Sequence, residues 1–379
     1  MKKILQVFAS LNMGGAESRM MDVYRSIDRE KYIFDFLCMQ QGEQYYEPEI
    51  RSAGGRIVKI DPPRVSGAYA NFRTIRKVLR DGHYDAVHAH TSFHCGVVML
   101  AAWLEKVPVR ISHARTTGSK NNSLKNKTAL VIGRAFISLF ATVRLAVSKE
   151  AGNYIFGKKP FTVLPNAVDC EKYLLTPDDA AERLKSRYGI DKEEICFGLV
   201  GRFANMKNHE FAVDVFYRYN ICNPKSRLIF VGDGELRKSI EEKVERLGIS
   251  NKVIFAGMQS NVNEWMRLFD VLLVPSLFEG FPGVMLEAQA SGTPVIKSDL
   301  FTNEPDIGIG LVQEVSVTNG TDGWLDCIEK ALKTSLPDKE KIRSSFIKRG
   351  YTLTGEINIL QEIYQGRRYE NPDSDHNDI

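Results

Sequence analysis

The apolar residues of this chain fall into short continuous runs separated by stretches with helical spacing. Runs near 3–8, 33–38, 56–60, 85–89, 109–112, 143–147 and 161–164 predict strands in the first half. Continuous rather than alternating apolar character marks strands covered on both faces, as in a parallel sheet. Between them the helical period returns. Residues 16–27 put Met20, Tyr24 and Ile27 on one face, and a further helix is predicted at 71–80. The pattern starts afresh at Cys196-Phe197-Gly198-Leu199-Val200, with strands at 227–231, 252–255, 271–275 and 294–298 and weaker signals beyond. Helices are predicted at 208–219, where Phe211, Ala212, Val215, Phe216 and Tyr219 form a stripe, and at 235–247, 261–268 and 283–291. This alternation predicts an α/β protein with two parallel sheets, joined through the polar region around 166–192.

Length and composition sharpen that picture. At 379 residues the chain exceeds the size at which one core usually splits. It is 43% hydrophobic and 26% charged, ordinary for a globular protein. A net charge of +4 is too mild to argue for nucleic acid as a partner. Six scattered cysteines (38, 95, 170, 196, 222 and 327), with no CxxC, read as reduced thiols of a cytoplasmic protein. The first strand follows two lysines directly, and its five apolar-run residues are too few for a signal-peptide core. The apolar stretch Thr128 to Val147 is interrupted by Arg134 and Arg144 and is expected to be a buried domain helix rather than a membrane-surface one. Arg367 to Ile379 are polar and read as a disordered tail.

Ligands of open α/β sheets bind beyond the carboxyl ends of strands, so the segments after each strand carry the chemistry. Most informative is Phe278-Glu279-Gly280-Phe281-Pro282-Gly283-Val284-Met285-Leu286-Glu287, which follows the run Val271 to Pro275. Pro282 and Gly283 suit a helix mouth with outward N–H groups, Glu279 stands before it, and Glu287 lies a turn inside. An anion at that mouth would be flanked by two carboxylates able to accept hydrogen bonds from hydroxyls. A nucleoside diphosphate attached to a sugar has this layout. After the strand at 196–200, Arg202 and Lys207 bracket a loop before a helix and offer a fork donor and a point charge to a diphosphate. Either residue alone reads as solvated; their shared placement favours the ligand reading. Gly14 and Gly15 open a helix after the first strand, where bare backbone can approach a ligand. Gly232 does the same after 227–231, whereas Asp233 and Glu235 read as helix caps. Met258 is either a wall for a base or a core residue.

Histidines cluster in the first half. His88 and His90 end one strand, His94 follows, and His113 stands near the end of another beside Arg115. A metal site from His88, His90 and His94 is disfavoured, because 88 and 90 share a face of one strand as it ends. The one Asp-x-Asp pair, Asp373-Ser374-Asp375, lies in the tail, so no obligatory metal is expected.

Gly14-Gly15-Ala16-Glu17, Ala146-Val147-Ser148, Leu164-Pro165-Asn166-Ala167-Val168-Asp169, Gly201-Arg202 with Lys207, Val231-Gly232-Asp233-Gly234, and Glu279 with Glu287, Ala288, Ala290, Gly292, Pro294 and Val295 together resemble the retaining glycosyltransferases of family 4. The resemblance spans roughly residues 3 to 300 and looks closest to bacterial enzymes of capsule and exopolysaccharide assembly. It implies a GT-B fold of two facing Rossmann-like domains. The acceptor domain is expected at 1–172, the donor domain at 173–353, a helix crossing back at 354–366, and the tail at 367–379. It further implies that Arg202 and Lys207 hold the diphosphate, that Glu287 binds ribose hydroxyls and that Glu279 binds the donor sugar. The amides of Gly283, Val284 and Met285 would touch sugar or phosphate, Gly15 would close over the diphosphate, and His113 would meet the donor sugar. Retention by front-face attack, with the leaving phosphate oxygen helping to deprotonate the acceptor, is implied by family. One departure is Leu300-Phe301-Thr302-Asn303-Glu304, which replaces the usual small-residue Gly-x-x-Glu segment.

The expected activity is transfer of a hexosyl or N-acetylhexosaminyl unit, with a UDP-sugar as donor and no obligatory cofactor. The expected acceptor is a growing glycan or an undecaprenyl-linked saccharide at the inner face of the cell membrane. The basic loop Arg115, Lys120, Lys125, Lys127 and Arg134 motivates the membrane contact, with a plain solvated loop as the alternative. A nucleotide-sugar isomerase on the same frame and a non-catalytic nucleotide-sugar binder are the competing readings. A phosphorylase would need a pyridoxal-bound lysine, for which no context stands out.

Overall fold

The computed structural model describes residues 1–116, 118 and 124–367, with the side chains of 124–126 outside the description. The chain divides into two compact units, Met1–Ala167 together with the segment from Leu353, and Val168–Thr352. The first sheet holds β1 (Lys2–Phe8), β2 (Tyr32–Cys38), β3 (Arg56–Lys59), β4 (Ala86–Ala89), β5 (Val109–Ala114), β6 (Val143–Ala146) and β7 (Thr162–Val163). The second holds β8 (Ile195–Val200), β9 (Ser226–Val231), β10 (Val253–Gly257), β11 (Val271–Val274), β12 (Val295–Ser298) and β13 (Val312–Val315). The orders are β3-β2-β1-β4-β5-β6-β7 and β10-β9-β8-β11-β12-β13, with every pairing parallel. Both sheets therefore reverse their winding once, between β1 and β4 and between β8 and β11. The crevice at such a reversal is where doubly wound sheets bind ligands.

The fully buried runs formed strands where expected, since Ile4, Leu5 and Val7 of β1 and Phe197 and Leu199 of β8 lie in the interior. The edge strand β13 was not anticipated. Its Val312, Gln313 and Val315 are half-buried and Glu314 is exposed, so the apolar run is broken. The helix expected from 235 begins at Arg237, and Leu236 rather than an acid stands at its N-cap without a side-chain bond. Asp233 instead accepts from the Gly234 amide at 2.7 Å, and Glu235 is exposed, so neither caps the helix.

The last helix, Leu353–Tyr364, joins the first unit's core. Leu353, Ile357, Leu360, Ile363 and Tyr364 pack in one buried cluster with Phe34, Phe36, Met20 and Tyr24. Tyr364 meets Phe34 edge-on with ring centroids 5.8 Å apart. The second unit's core is a separate cluster around Phe197, Phe216, Phe230 and Trp324.

The apolar stretch expected to be a buried helix turns out otherwise. Helix Leu124–Phe140 leaves Val131 63% and Leu139 72% exposed, with Ile132 also outward. Thr128, Val131, Ile132, Ala135 and Leu139 are spaced to share one face, and that face looks out. The inward face carries Gly133 beside the buried Ile137. A Cβ on Gly133 would sit 2.3 Å from the Phe93 carbonyl oxygen, and one on Gly96 would sit 2.5 Å from the Gly133 carbonyl oxygen. Backbone meets backbone there, so neither neighbour has a flexible tip to move aside. Gly133→Ala is expected to lower stability by about 1–3 kcal/mol. An unchanged urea unfolding midpoint would show that this crossing relaxes freely.

Candidate functional site

In the second unit, the loop after β8 meets the loop after β11 across the reversal point. Lys207 Nζ lies 2.5 Å from Glu279 Oε1, and Ser276 Oγ donates to the same carboxylate oxygen at 2.8 Å. Backbone and side chain reinforce the join. The Leu277 amide donates to the Met206 carbonyl at 2.8 Å, and Asn208 Nδ2 to the Pro275 carbonyl at 3.1 Å. Arg202 is exposed, and its side chain makes no hydrogen bond or ion pair among the described residues. Two cations and one carboxylate are thus presented on one edge of the sheet.

Helix Gly283–Ala290 follows, with Pro282 at its N-cap. The Met285 amide is already spent on the Pro282 carbonyl at 3.0 Å, and the Met285 side chain is fully buried. Gly283 and Val284 are partly exposed, and their amides find no acceptor among the described residues, so these two form the open helix mouth. Glu287 is buried to 8% one turn in. Met258, just past β10, is exposed rather than part of the core.

Glycines lock the loop that carries Arg202. At Gly232 a Cβ would sit 2.1 Å from the Gly201 carbonyl oxygen, and at Gly234 one would sit 2.6 Å from the Phe203 carbonyl oxygen and 2.9 Å from Arg202 Cγ. The Phe203 amide donates to the Asp233 carbonyl at 3.0 Å, and Gly232 to the Gly257 carbonyl at 2.8 Å. Gly232 therefore serves close approach between protein loops. Behind this loop lies His209, which the sequence reading overlooked. It stacks on Phe203 with centroids 4.1 Å apart, and neither ring nitrogen has a hydrogen-bond partner. Burial, helped by the Lys207 charge, pushes it down to about 3, against a smaller pull from the Gly201 backbone, so the ring stays neutral.

In the first unit, Gly14 is the N-cap of helix Gly15–Ser26, and a Cβ on Gly15 would meet open space. A Cβ on Gly14 would sit 2.6 Å from Glu17 Oε2. His113 is buried to 1% among polar neighbours from distant parts of the chain. His88 Nε2 lies 3.0 Å from His113 Nδ1, His88 Nδ1 lies 2.9 Å from the Tyr364 hydroxyl, and Gln6 Nε2 donates to that hydroxyl at 3.0 Å. His90 Nε2 is 3.1 Å from Gln6 Oε1, and Arg115 donates to His90 Nδ1 at 3.0 Å and to Asn166 Oδ1 at 2.6 Å. His113 Nε2 and Arg115 Nη2 are buried without a hydrogen bond, although the Leu164 backbone lies close enough to His113 to favour its charged form slightly.

His88, His90 and His113 bring ring nitrogens within 4.8 Å of one another. His94 stays apart, its Nε2 lying 3.2 Å from Asn71 Oδ1. The trio is a poor cation cage. Both His88 nitrogens are engaged, and a guanidinium donates into His90 where a metal would need the lone pair. Arg115 is thus committed to the interior rather than to a basic loop, and Arg134 donates to the Tyr154 carbonyl at 3.2 Å. Lys127 is exposed, and Lys120 and the Lys125 side chain lie outside the described residues.

Glu356 is buried beside this network and accepts from the Ala167 amide at 3.2 Å. Burial raises it to about 7, opposed by the Arg115 charge. The folded form then holds a proton that the unfolded chain releases near 4.5, so this group's contribution to stability falls as pH rises from about 4.5 to 7. Relative to wild type, Glu356→Gln should gain stability across that window. Parallel unfolding midpoints at pH 5 and pH 8 in the two proteins would contradict this assignment.

The comparisons with known proteins agree with this layout. Residues 13–172 match the family model "Glycosyltransferase Family 4", and residues 180–352 match "Glycosyl transferases group 1". A putative glycosyltransferase, EpsF, of Bacillus subtilis is 35% identical over 371 residues, covering 96% of each chain. The capsular polysaccharide biosynthesis glycosyltransferase CapH of Staphylococcus aureus is 29% identical, covering 80% of this chain and 83% of its own. An Escherichia coli UDP-Gal:alpha-D-GlcNAc-diphosphoundecaprenol alpha-1,3-galactosyltransferase is 26% identical over 96% of each chain. Among solved structures, Anabaena HepE in complex with UDP-glucose superposes with a TM-score of 0.79 at 18% identity, over 97% of this chain and 100% of that one. The chain has the GT-B fold and belongs to the family 4 glycosyltransferases, among relatives that work in polysaccharide biosynthesis.

Proposed function

We propose that this glycosyltransferase moves a hexosyl or N-acetylhexosaminyl unit from a UDP-sugar to a lipid-linked saccharide, with retention, in exopolysaccharide or capsule assembly. The observation that carries the reading is the Lys207–Glu279 pair beside exposed Arg202 at the second sheet's reversal point. Arg202, Lys207 and the open amides of Gly283 and Val284 supply positive potential for a diphosphate, and that potential stabilises the leaving group as charge builds on it. Glu287 takes the ribose hydroxyls and Glu279 a sugar hydroxyl. The donor preference draws support from the UDP-glucose complex of HepE and from the UDP-Gal specificity in the Escherichia coli relative's name.

The lipid-linked acceptor draws support from the same relative and from the outward apolar face of helix Leu124–Phe140. Ala135 of that face lines a surface pocket with exposed Lys158 and Lys159, and exposed Lys127 stands one turn before Val131 on the same helix. An apolar stripe flanked by lysines fits the surface of an anionic bilayer. No helix among the described residues is long and apolar enough to cross a membrane.

Melting the protein with UDP-, GDP- and ADP-sugars tests the donor reading, and no stabilisation by any of them would sink it. Lys207→Ala and Glu287→Ala should each weaken UDP-sugar binding about 10- to 100-fold, the loss of a charged hydrogen bond. Glu279→Gln should leave UDP binding intact or tighter, since Lys207 is released, while weakening discrimination of UDP-sugar over UDP. Equal losses for both ligands would remove Glu279 from the sugar side. An isomerase would consume donor without acceptor, whereas a transferase shows only slow hydrolysis. In sedimentation with phosphatidylglycerol vesicles, Val131→Asp with Leu139→Asp should stay in the supernatant while the wild type pellets. Equal pelleting would exclude this face as the docking surface.

A further inference from the structure

The proton positions in the first unit's histidine cluster follow from one fixed point. A guanidinium can only donate, so His90 Nδ1, 3.0 Å from Arg115 Nε, must accept. A neutral imidazole accepting at one nitrogen carries its proton on the other, and His90 Nε2–H therefore donates to Gln6 Oε1. That orients the Gln6 amide and aims its Nε2–H at the Tyr364 hydroxyl. The hydroxyl proton then goes to His88 Nδ1, the acceptor left to it among the described residues. His88 in turn donates from Nε2 to His113 Nδ1. The two rings are parallel to within 1° with centroids 5.2 Å apart, which at this N···N distance is an in-plane bond and not a face-to-face stack. His113 ends the chain with its proton on Nε2.

We infer that Tyr364 is a positioning residue: through its hydroxyl, the last helix carries the proton map that starts at Arg115 on to His113 and holds His113 as a fixed Nε2–H donor beside Arg115 at the carboxyl end of β5. Removing the hydroxyl leaves Gln6 without an acceptor and His88 without a donor, so the His88–His113 pair is free to adopt either tautomer. His90 alone stays pinned, because Arg115 still donates to it. Burial, joined by the Arg115 charge, holds all three rings well below the usual histidine range, so the map is one of neutral rings. Arg115 Nη2 and His113 Nε2 are the donors left over, and they suit an oxygen of a hydroxyl or phosphate and oppose a cation.

Nitrogen-15 spectra of histidine-labelled full-length protein read the map directly, without activity. The expected wild-type result is protonated Nε2 and bare Nδ1 at His88, His90 and His113. In Tyr364→Phe, His88 and His113 should show mixed tautomers while His90 keeps its own. Protonated Nδ1 at His113 in the wild type overturns the inference even if the variant fails to fold. Identical spectra in wild type and folded variant overturn it too, as does one equivalent of Zn2+ shifting all three rings. The kinetic arm rests on the transferase reading. There Tyr364→Phe should lower kcat about tenfold with UDP affinity unchanged, and an unchanged kcat removes the positioning role. If the wild type transfers no sugar, that reading fails while the ring spectra still decide the proton map.

Discussion

Every strand in both sheets runs the same way, and much of the rest follows from that constraint. A parallel sheet gathers all its strand carboxyl ends on one edge, and each crossover must open there into a loop. In the second unit this places the loops of β8, β9 and β11 side by side, so Lys207 and Glu279 meet although 72 positions separate them. The same constraint in the first unit lines up the ends of β1, β4 and β5, which brings Gln6, His88, His90 and His113 together. The winding reverses beside β1 and β8, the position at which doubly wound sheets leave a ligand crevice.

The two sites solve the problem of holding polar groups in different ways. The second unit's loops are exposed, and they are kept in place by backbone contacts so close that Gly232 and Gly234 tolerate no Cβ. Its charges neutralise each other, with Lys207 on Glu279, so the diphosphate proposed for this site would have to compete for the lysine. The first unit instead buries its polar groups, where an unpaired donor or acceptor is costly. Nearly every member there is satisfied by another, and the helix Leu353–Tyr364 supplies the hydroxyl without which the set does not close.

The apolar runs made the parallel architecture legible, because strands buried on both faces have no reason to alternate. The residues of the second candidate site were legible for a related reason: Arg202, Lys207 and Glu279 stand at predicted strand ends, and Glu287 a turn inside a predicted helix. Contacts spanning the chain were not. Gln6 was visible as one polar residue within Ile4 to Phe8, yet nothing local indicated that it bonds to Tyr364, 358 positions away. Helix Leu124–Phe140 was misread because composition records how apolar a helix is and not which way it faces. Its inward side has Ile137 and a close crossing of Gly133 on Gly96, and glycine carries no hydrophobic signal. The strand β13 was missed because an edge position with an exposed Glu314 breaks the run.

The return of the last helix also bears on how the protein is made. A ribosome releases residues 1–167 long before Leu353–Tyr364 exists, so the first sheet emerges lacking five apolar side chains of its own core cluster. The second unit, continuous from Val168 to Thr352, has all its parts earlier. Vectorial synthesis would thus let the later unit finish folding while the earlier one stays open on the face where Phe34 and Phe36 await Tyr364. The nascent chain spends that interval with an unsealed hydrophobic surface, a target for a chaperone rather than for a substrate.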